Sequence, residues 1–210
     1  MTSSTLTARD QILDAAERLF AARGYDATTI KAIGASTGLN PALLYYYFAG
    51  KEELYKAVLQ RLVGTMVAQG GAVLDGTLAP AEAIRRLLTL QAEWLLKQPN
   101  LPRLLVRELL DHDARHAQEV ILQMAAGLFQ RLCRVIEQGQ KTGDFRDDVE
   151  PRYAAVSAIA QVAYFVIAKP AVGIFFGQGI GGITDQTARE FARHAGEFAV
   201  RALSPTESAA

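Results

Sequence analysis

Apolar residues recur along most of the chain at spacings of three and four, which is the pattern of one face of an α-helix. Thr7 and Asp10 stand where a capping pair would open a helix, and Gly24 stands where that helix would end. Between them lies an apolar stripe formed by Ile12, Leu13, Ala16, Leu19 and Phe20. No convincing run of alternating β-branched residues occurs, so the chain is predicted to be all-α.

Two short helices joined by a glycine turn are predicted next. Thr28 can cap the second helix, in which Ile33 faces inward, and Gly38 can end it by adopting a left-handed conformation. Asn40 is a favoured cap for the third helix, and Pro41 suits a first helical position. The sequence thus predicts a helix, a tight turn and another helix in immediate succession.

The third helix contains three consecutive tyrosines, which cannot all point the same way. When Leu44 is placed inward at 100° per residue, Phe48 lies beside it and Tyr47 falls between core and solvent. The outward positions are then Pro41, Ala42, Leu43, Tyr45 and Tyr46. A small, mostly uncharged surface of this kind indicates a binding partner.

The rest of the chain continues the helical pattern. A long fourth helix should begin near Lys51 and fray toward Gly70, and a glycine-rich loop is expected at residues 177–182. Further helices are predicted to begin near Pro80, Pro102, Ala114, Pro151 and Thr184. About nine helices result.

An exposed helix face behind a glycine turn is the arrangement of a helix-turn-helix, whose second helix enters the major groove of DNA. Tyrosine hydroxyls, Thr28 and Lys51 are expected to contact phosphates. Ala42, Leu43 and Tyr46 are expected to contact bases, the first two through thymine methyl groups. The whole predicted DNA-binding set is Thr28, Thr29, Lys31, Asn40, Pro41, Ala42, Leu43, Tyr45, Tyr46, Tyr47 and Lys51.

The segment from Ile12 to about Val58 resembles the N-terminal DNA-binding domain of the TetR family of transcriptional regulators. The residues that carry the resemblance, in order and at the family's spacing, are Leu19 and Phe20, Gly24 and Tyr25, Thr28 and Thr29, Ile33, Thr37 and Gly38, Leu44 and Tyr45, Tyr47 and Phe48, and Lys51 and Glu52. The chain departs from the family at Gly34, where alanine is usual, at Asn40, where serine is common, and at Leu43, where threonine or serine is frequent. Because leucine cannot hydrogen-bond to bases, Leu43 makes operator recognition more dependent on apolar contact and DNA shape.

The resemblance implies a three-helix DNA-binding domain at residues 1–50 and a larger helical domain at residues 51–210. The larger domain would dimerise through its last two long helices and enclose a small-molecule pocket. The implied function is that of a repressor, without catalytic activity or cofactor. It would bind a palindromic operator as a homodimer and be released by a small, largely apolar effector.

Large side chains beyond residue 51 are candidates for the effector pocket, and the same residue types also fill protein cores. The predicted ligand-binding set is Met66, Trp94, Arg107, His112, Met124, Phe129, Tyr164 and Phe165. Arg107 could meet an acidic ligand, with a surface ion pair as the alternative. The helices over residues 154–168 and 184–203 are expected to form a four-helix bundle with their copies. The predicted dimer-interface set is Ala158, Val162, Phe191 and Phe198.

The sequence is also compatible with two other functions. Residues 34–38 match the G-x-S-x-G string of serine hydrolases, but Ser36 lies in a helical pattern without the strand that a nucleophile elbow needs. A helical interaction protein without a DNA function is the second alternative. Residues 177–182 resemble a dinucleotide-binding fingerprint, but no strand precedes them and a loop is favoured.

Glu108, His112 and His116 follow one another at spacings of four, which would place a carboxylate and two imidazoles along one helix face. Such a set could be part of a metal site or could hydrogen-bond an effector. A loop near residues 111–114 would break the face, so a solvated polar face is the preferred interpretation. No metal is predicted.

The composition of the chain indicates a cellular location but does not indicate a binding partner. Lys plus Arg and Asp plus Glu each number 22, so net charge indicates no partner. The single cysteine, Cys133, cannot form an internal disulfide, and no signal-like apolar run lies near Met1. A cytoplasmic location is therefore expected. The apolar residues 154–168 are too few to span a bilayer, so no membrane partner is expected.

Overall fold

A computed structural model describes residues 7–205, which form α-helices and no strands. The helices are α1 (Ala8–Arg23), α2 (Ile30–Thr37), α3 (Pro41–Tyr47), α4 (Lys51–Val73), α5 (Pro80–Lys97), α6 (Asn100–His112), α7 (Gln118–Met124), α8 (Gln130–Thr142), α9 (Pro151–Ile167), α10 (Lys169–Phe175) and α11 (Asp185–Leu203). A π-helical turn, Ala125–Phe129, joins α7 to α8. The all-α prediction is confirmed.

Helix α7 begins later than the sequence predicts. Asp113 and Ala114 have φ angles of 49° and 61°, which a right-handed helix does not accommodate. The chain therefore turns after His112, and α7 starts at Gln118 instead of near Ala114.

The described residues form two more helices than the nine predicted, because the π-helical turn separates α7 from α8 and because α10 follows α9. Helix α9 ends at Ile167, and Pro170 lies in the first turn of a new short helix, where its fixed φ is tolerated. Within residues 7–205 no helix by itself is both long and apolar enough to cross a membrane. Together α9 and α10 would pass by length and composition, but the pair is bent by 86°.

The chain divides into two compact units. Unit 1 comprises the chain up to Gly64 together with Pro99–Ile121 and contains α1–α3, the first part of α4, and α6. Arg61 of α4 pairs with Asp14 and Glu17 of α1 at 2.7 and 2.8 Å. The core of unit 1 includes Ile12, Phe20, Ile33, Leu44, Leu54, Tyr55 and Leu59.

Unit 2 comprises Thr65–Gln98 and the chain from Leu122 onward. Its helices α5, α9 and α11 pack against one another. Helix α11 approaches α5 closely at Gly196, where a Cβ atom would lie 3.2 Å from the Cα of Arg85. One buried cluster consists of Phe165, Val172, Ile183 and Ala188. Helix α4 runs through both units, and the functional division after residue 50 stays a prediction.

Candidate nucleic-acid interface

Local capping fixes the ends of α2 and α3. The hydroxyl of Thr29 accepts a hydrogen bond from the backbone N–H of Ala32 at the start of α2. Gly38 then adopts φ 68°, a left-handed conformation that ends α2. The side-chain oxygen of Asn40 accepts from the N–H of Ala42 at 2.9 Å and opens α3. The turn between the helices is thus specified by residues within it.

The burial pattern of α3 follows its predicted faces. Leu44 and Phe48 are 1% and 3% exposed and anchor the helix in unit 1. Tyr45 and Tyr46 are 62% and 78% exposed. Ala42 is also exposed, whereas Leu43 and Tyr47 are half-buried. The predicted inward and outward faces are confirmed, although Leu43 is less accessible than its flanking position suggested.

Ring contacts restrict the aromatic side chains of α3. The rings of Tyr46 and Tyr47 lie 5.0 Å apart at 81°, an edge-to-face arrangement. The guanidinium of Arg9 from α1 lies 5.3 Å from the centre of the Phe48 ring. The exposed ring of Tyr46 therefore packs against Tyr47, and the ring of Phe48 contacts Arg9 of α1.

Thr28 does not belong to the exposed set, which corrects its predicted roles as a DNA contact and as a helix cap. It is completely buried, and its hydroxyl donates to the carbonyl oxygens of Gly24 and Leu19 at 2.7 and 3.2 Å. Since the hydroxyl hydrogen is used inside unit 1, Thr28 cannot reach a phosphate. Thr29, which is exposed, caps α2 instead.

The predicted basic contacts have different environments. Lys31 is exposed on α2. Lys51 is half-buried, with its ammonium 4.2 Å from the centre of the Tyr25 ring and donating to the carbonyl oxygen of Asp26 at 3.3 Å. Lys51 therefore has a structural role beside any phosphate contact. Pro41 occupies the first position of α3, and its side chain lies outside the described part of the structure.

The residues predicted to bind a ligand do not all fall in one unit. Arg107 and His112 belong to unit 1, whereas the others belong to unit 2. Within unit 2, Met66, Trp94 and Phe165 are buried, and Met124 and Phe129 are half-buried near the π-helical turn. Tyr164, at 59% exposure, lies on the outer face of α9 and not in the interior of the protomer.

Phe165 packs into a filled core. Its ring stacks on that of Phe191, with centroids 4.0 Å apart, and contacts Phe176 at 6.2 Å. Phe165 also belongs to the buried cluster with Val172 and Ile183. Tight aromatic packing of this kind is typical of a structural role for Phe165.

The predicted dimer-interface residues are only partly available to a partner. Ala158 and Val162 are buried within the protomer, because they lie on the face of α9 that packs inward. Phe191 is half-buried against Phe165, and only Phe198 is largely exposed, at 57%. Ala158 and Val162 are therefore wrong as partner contacts, because the face of α9 that carries them packs inside the protomer.

The hydrolase string occurs in a helical setting. Ser36 lies in α2, and its hydroxyl donates to the carbonyl oxygen of Ile33 at 2.8 Å. A nucleophile elbow requires a sharp turn from a strand into a helix, which residues 30–37 do not form. The glycine-rich segment 177–182 lies in the connection between α10 and α11, as predicted.

Comparisons with known proteins agree with this arrangement over most of the chain. Residues 12–58 match the family model of bacterial regulatory proteins of the tetR family, and residues 80–198 match that of the tetracyclin repressor-like C-terminal domain. The HTH-type transcriptional repressor NicS of Pseudomonas putida is 33% identical over 160 residues, which are 75% of this chain and 74% of NicS. The chain belongs to the TetR family.

Further relatives and solved structures are similar to this chain at lower identity. The repressor KstR2 of Mycolicibacterium smegmatis is 26% identical over 165 residues, covering 70% of this chain and 72% of KstR2. A tetR-family regulatory protein from Rhodococcus superposes with a TM-score of 0.77 at 24% identity, covering 97% of this chain and all of that protein. As a TetR-family protein, this chain is a DNA-binding transcriptional repressor that responds to a ligand.

Proposed function

We propose that the protein binds a palindromic operator as a homodimer and releases it when a small, largely apolar effector binds in the larger domain. The observation that carries this proposal is the exposed face of α3, where Tyr45 and Tyr46 point outward while Leu44 and Phe48 fix the helix. Such a regulator would act in the cytoplasm, where its operator lies. Residues 1–50 would supply DNA binding and residues 51–210 the effector site and dimer contacts.

In the DNA complex, two copies of α3 would occupy successive major grooves about 34 to 36 Å apart, one turn of the duplex. Ala42 and Tyr46 would face bases, with the edge of Leu43 adding apolar contact to thymine methyl groups. Lys31, Thr29 and the tyrosine hydroxyls would contact phosphates and set the docking position. Since apolar contacts dominate this face, DNA shape would contribute much of the specificity.

Dimerisation would use the outer face of α9. Its exposed apolar positions follow spacings of three and four along one stripe, formed by Tyr153, Val156, Ala160, Tyr164 and Ile167. Phe198 supplies an exposed ring on α11. Pairing these two helices with their copies gives a four-helix bundle, as expected from the sequence, but through residues other than Ala158 and Val162.

The effector would bind in unit 2 near the π-helical turn, since π-helical turns are frequent at functional sites. Met66, Trp94, Met124 and Phe129 are the candidate contacts. Helix α4 packs closely here, because a Cβ on Gly127 would lie 2.4 Å from Val67. A shift of the turn would therefore press on α4, which continues into unit 1. A coupling of about 1 to 3 kcal/mol would suffice to release DNA.

Footprinting on the DNA upstream of the protein's own gene tests this function. We expect a protected palindrome and an affinity that falls steeply as salt rises, because phosphate neutralisation releases counterions. Tyr46→Ala should weaken operator binding by at least tenfold, if the ring supplies about 1.4 kcal/mol or more at the base edge. Leu110→Ala removes an exposed apolar side chain from α6 of the same unit and should leave the affinity unchanged. Equal loss in both variants would show that the exposed face of α3 is not the DNA contact. Absence of protected DNA would favour a helical interaction protein instead.

A further inference from the structure

Three side chains with metal-binding atoms converge at the end of α6. Glu108 and His112 are one helical turn apart on α6, which ends at His112. The left-handed residues Asp113 and Ala114 then turn the chain back, so that the backbone N–H of His116 donates to Glu108 Oε1 at 2.6 Å. The turn thus brings His116 back into contact with Glu108.

We propose that Glu108, His112 and His116 bind a divalent transition-metal ion of the zinc type. Each side chain offers one ligand atom, and these atoms all lie within 4.8 Å of one another. Two imidazoles with one carboxylate form a set that Zn²⁺ accepts, leaving a fourth position for water. This goes beyond DNA and effector binding and does not depend on either.

The distances within the cluster suit a metal ion. His116 Nδ1 lies 3.2 and 3.3 Å from the two carboxylate oxygens of Glu108. Ligands bound to Zn²⁺ at about 2.0 to 2.2 Å with tetrahedral angles lie roughly 3.3 to 3.6 Å from each other. Glu108 and His116 therefore already have about the required separation, and a rotation of the His112 ring would complete the set.

The surroundings of Glu108 also favour a cation. Its side chain is completely buried, and a buried carboxylate is costly unless it is paired. The ion pair that the structure gives for Glu108 is with His116, which carries charge only when protonated. A bound divalent ion would neutralise the carboxylate whichever form the imidazole takes.

Aromatic neighbours hold the ligands in place. The Tyr25 ring lies 4.2 Å from the ring of His116, and the Tyr55 hydroxyl is hydrogen-bonded to Glu108. Partners of this kind orient ligands and strengthen metal binding.

The other explanation of the cluster is an ion pair between Glu108 and His116 that needs no metal. The two explanations differ at His112, whose Nε2 lies 3.7 Å from the exposed carboxylate of Asp26. A simple Glu108–His116 pair does not require the imidazole of His112, whereas the metal site uses it as a ligand. Substitution of His112 therefore separates them.

The test is calorimetric titration of the chelator-treated full-length protein with Zn²⁺, alongside thermal melting with and without the ion. We expect one saturable site per chain and a higher melting temperature with Zn²⁺ but not with Mg²⁺, which prefers oxygen ligands. His112→Ala should weaken Zn²⁺ binding by at least about tenfold, since loss of even a residue that only hydrogen-bonds to a metal ligand costs about 10- to 100-fold. The matched control is His194→Ala, which removes the remaining histidine of the chain, exposed on α11.

Absence of saturable Zn²⁺ binding, or equal affinity in His112→Ala and the unaltered protein, would overturn the proposal. Weakening of the same size in His194→Ala would do so too, because the ion would then bind surface imidazoles. His112 is only partly buried, and its loss leaves the Glu108–His116 pair intact, so the His112→Ala protein is expected to fold. Because the readout is metal binding, a failure here says nothing against operator binding.

Discussion

At the scale of single residues, Thr28 and Thr29 show how one step along the chain changes the role of a side chain. Thr28 points into unit 1 and donates to carbonyl oxygens at the end of α1, whereas Thr29 is exposed and accepts from the first turn of α2. Both hydroxyls satisfy backbone groups at helix ends. Only Thr29 has the exposure needed to meet DNA as well.

Replacement of Thr28 by valine should lower the free energy of unfolding by about 1 to 2 kcal/mol, because the shape is kept while a buried hydrogen bond is lost. Urea unfolding followed by far-UV circular dichroism measures the change. Thr65→Val, at an exposed position of α4, should stay within about 0.5 kcal/mol of the unaltered protein. If Thr28→Val leaves the free energy of unfolding unchanged but abolishes operator binding, Thr28 contacts DNA after all.

At the scale of elements, the turn between α2 and α3 depends on the backbone of Gly38. A Cβ atom there would meet nothing within 4 Å, so space is not the constraint. The constraint is φ 68°, which L-residues other than Asn and Asp rarely adopt. The position of α3 therefore depends on a conformational preference and not on packing.

Gly38→Ala should consequently destabilise the protein by about 1 kcal/mol. Gly64 provides a control of opposite sign, because it lies inside α4 with open space around it and without a positive φ. Gly64→Ala should stabilise the protein by about 0.5 to 1 kcal/mol through helix propensity. Urea midpoints of the two variants that move in the same direction would contradict this account of the turn.

An ion pair joins α5 to α11 within unit 2. The Arg85 guanidinium donates to both carboxylate oxygens of Glu197, at 2.8 and 3.2 Å, and holds the pKa of Glu197 below its ordinary value of 4.5. A depressed pKa contributes stability above the ordinary value, and that contribution is lost as the pH falls through the lowered pKa. The pair should therefore matter near neutral pH and cease to matter in acid.

Glu197→Gln should lower the urea midpoint at pH 7, and the gap to the unaltered protein should close as the pH falls below 4.5. Fluorescence of Trp94, the single tryptophan of the chain, reports unfolding of unit 2, since Trp94 lies on α5 with Arg85. Glu137→Gln, an exposed change on α8, should show no such pH-dependent gap. A gap that persists in acid would indicate that Glu197 acts through packing.

At the scale of the whole molecule, the features that the sequence predicted correctly are local ones. The caps of α1 and α3 and the two faces of α3 depend on residues within one or two turns, and periodicity is sufficient to find them. The spacing of four suggested that Glu108 and His116 share a solvated helix face, but Glu108 is buried and His116 reaches it through two left-handed residues in a loop, which no periodic pattern indicates. Which face of α9 is buried depends on the helices that pack against it, so the sequence alone does not show that Ala158 and Val162 lie inside the protomer.

The exposed stripe of α9 leads to a prediction about assembly. Tyr164→Asp places a charge in the middle of this stripe, and in a symmetric dimer the charge would meet its copy or apolar side chains. Light scattering should therefore show the mass of a single chain, with unchanged helical content. Leu122→Asp, at an exposed position of α7, should leave the mass unchanged.

The same variant links assembly to DNA binding. A dimer engages both halves of a palindrome, and the second contact benefits from the high effective concentration created by the first. Loss of the dimer should weaken operator binding by about 100-fold or more, although α3 is untouched. A monomeric Tyr164→Asp protein that keeps full operator affinity would show that one copy of α3 is sufficient, and a dimeric one would show that the interface lies away from the α9 stripe.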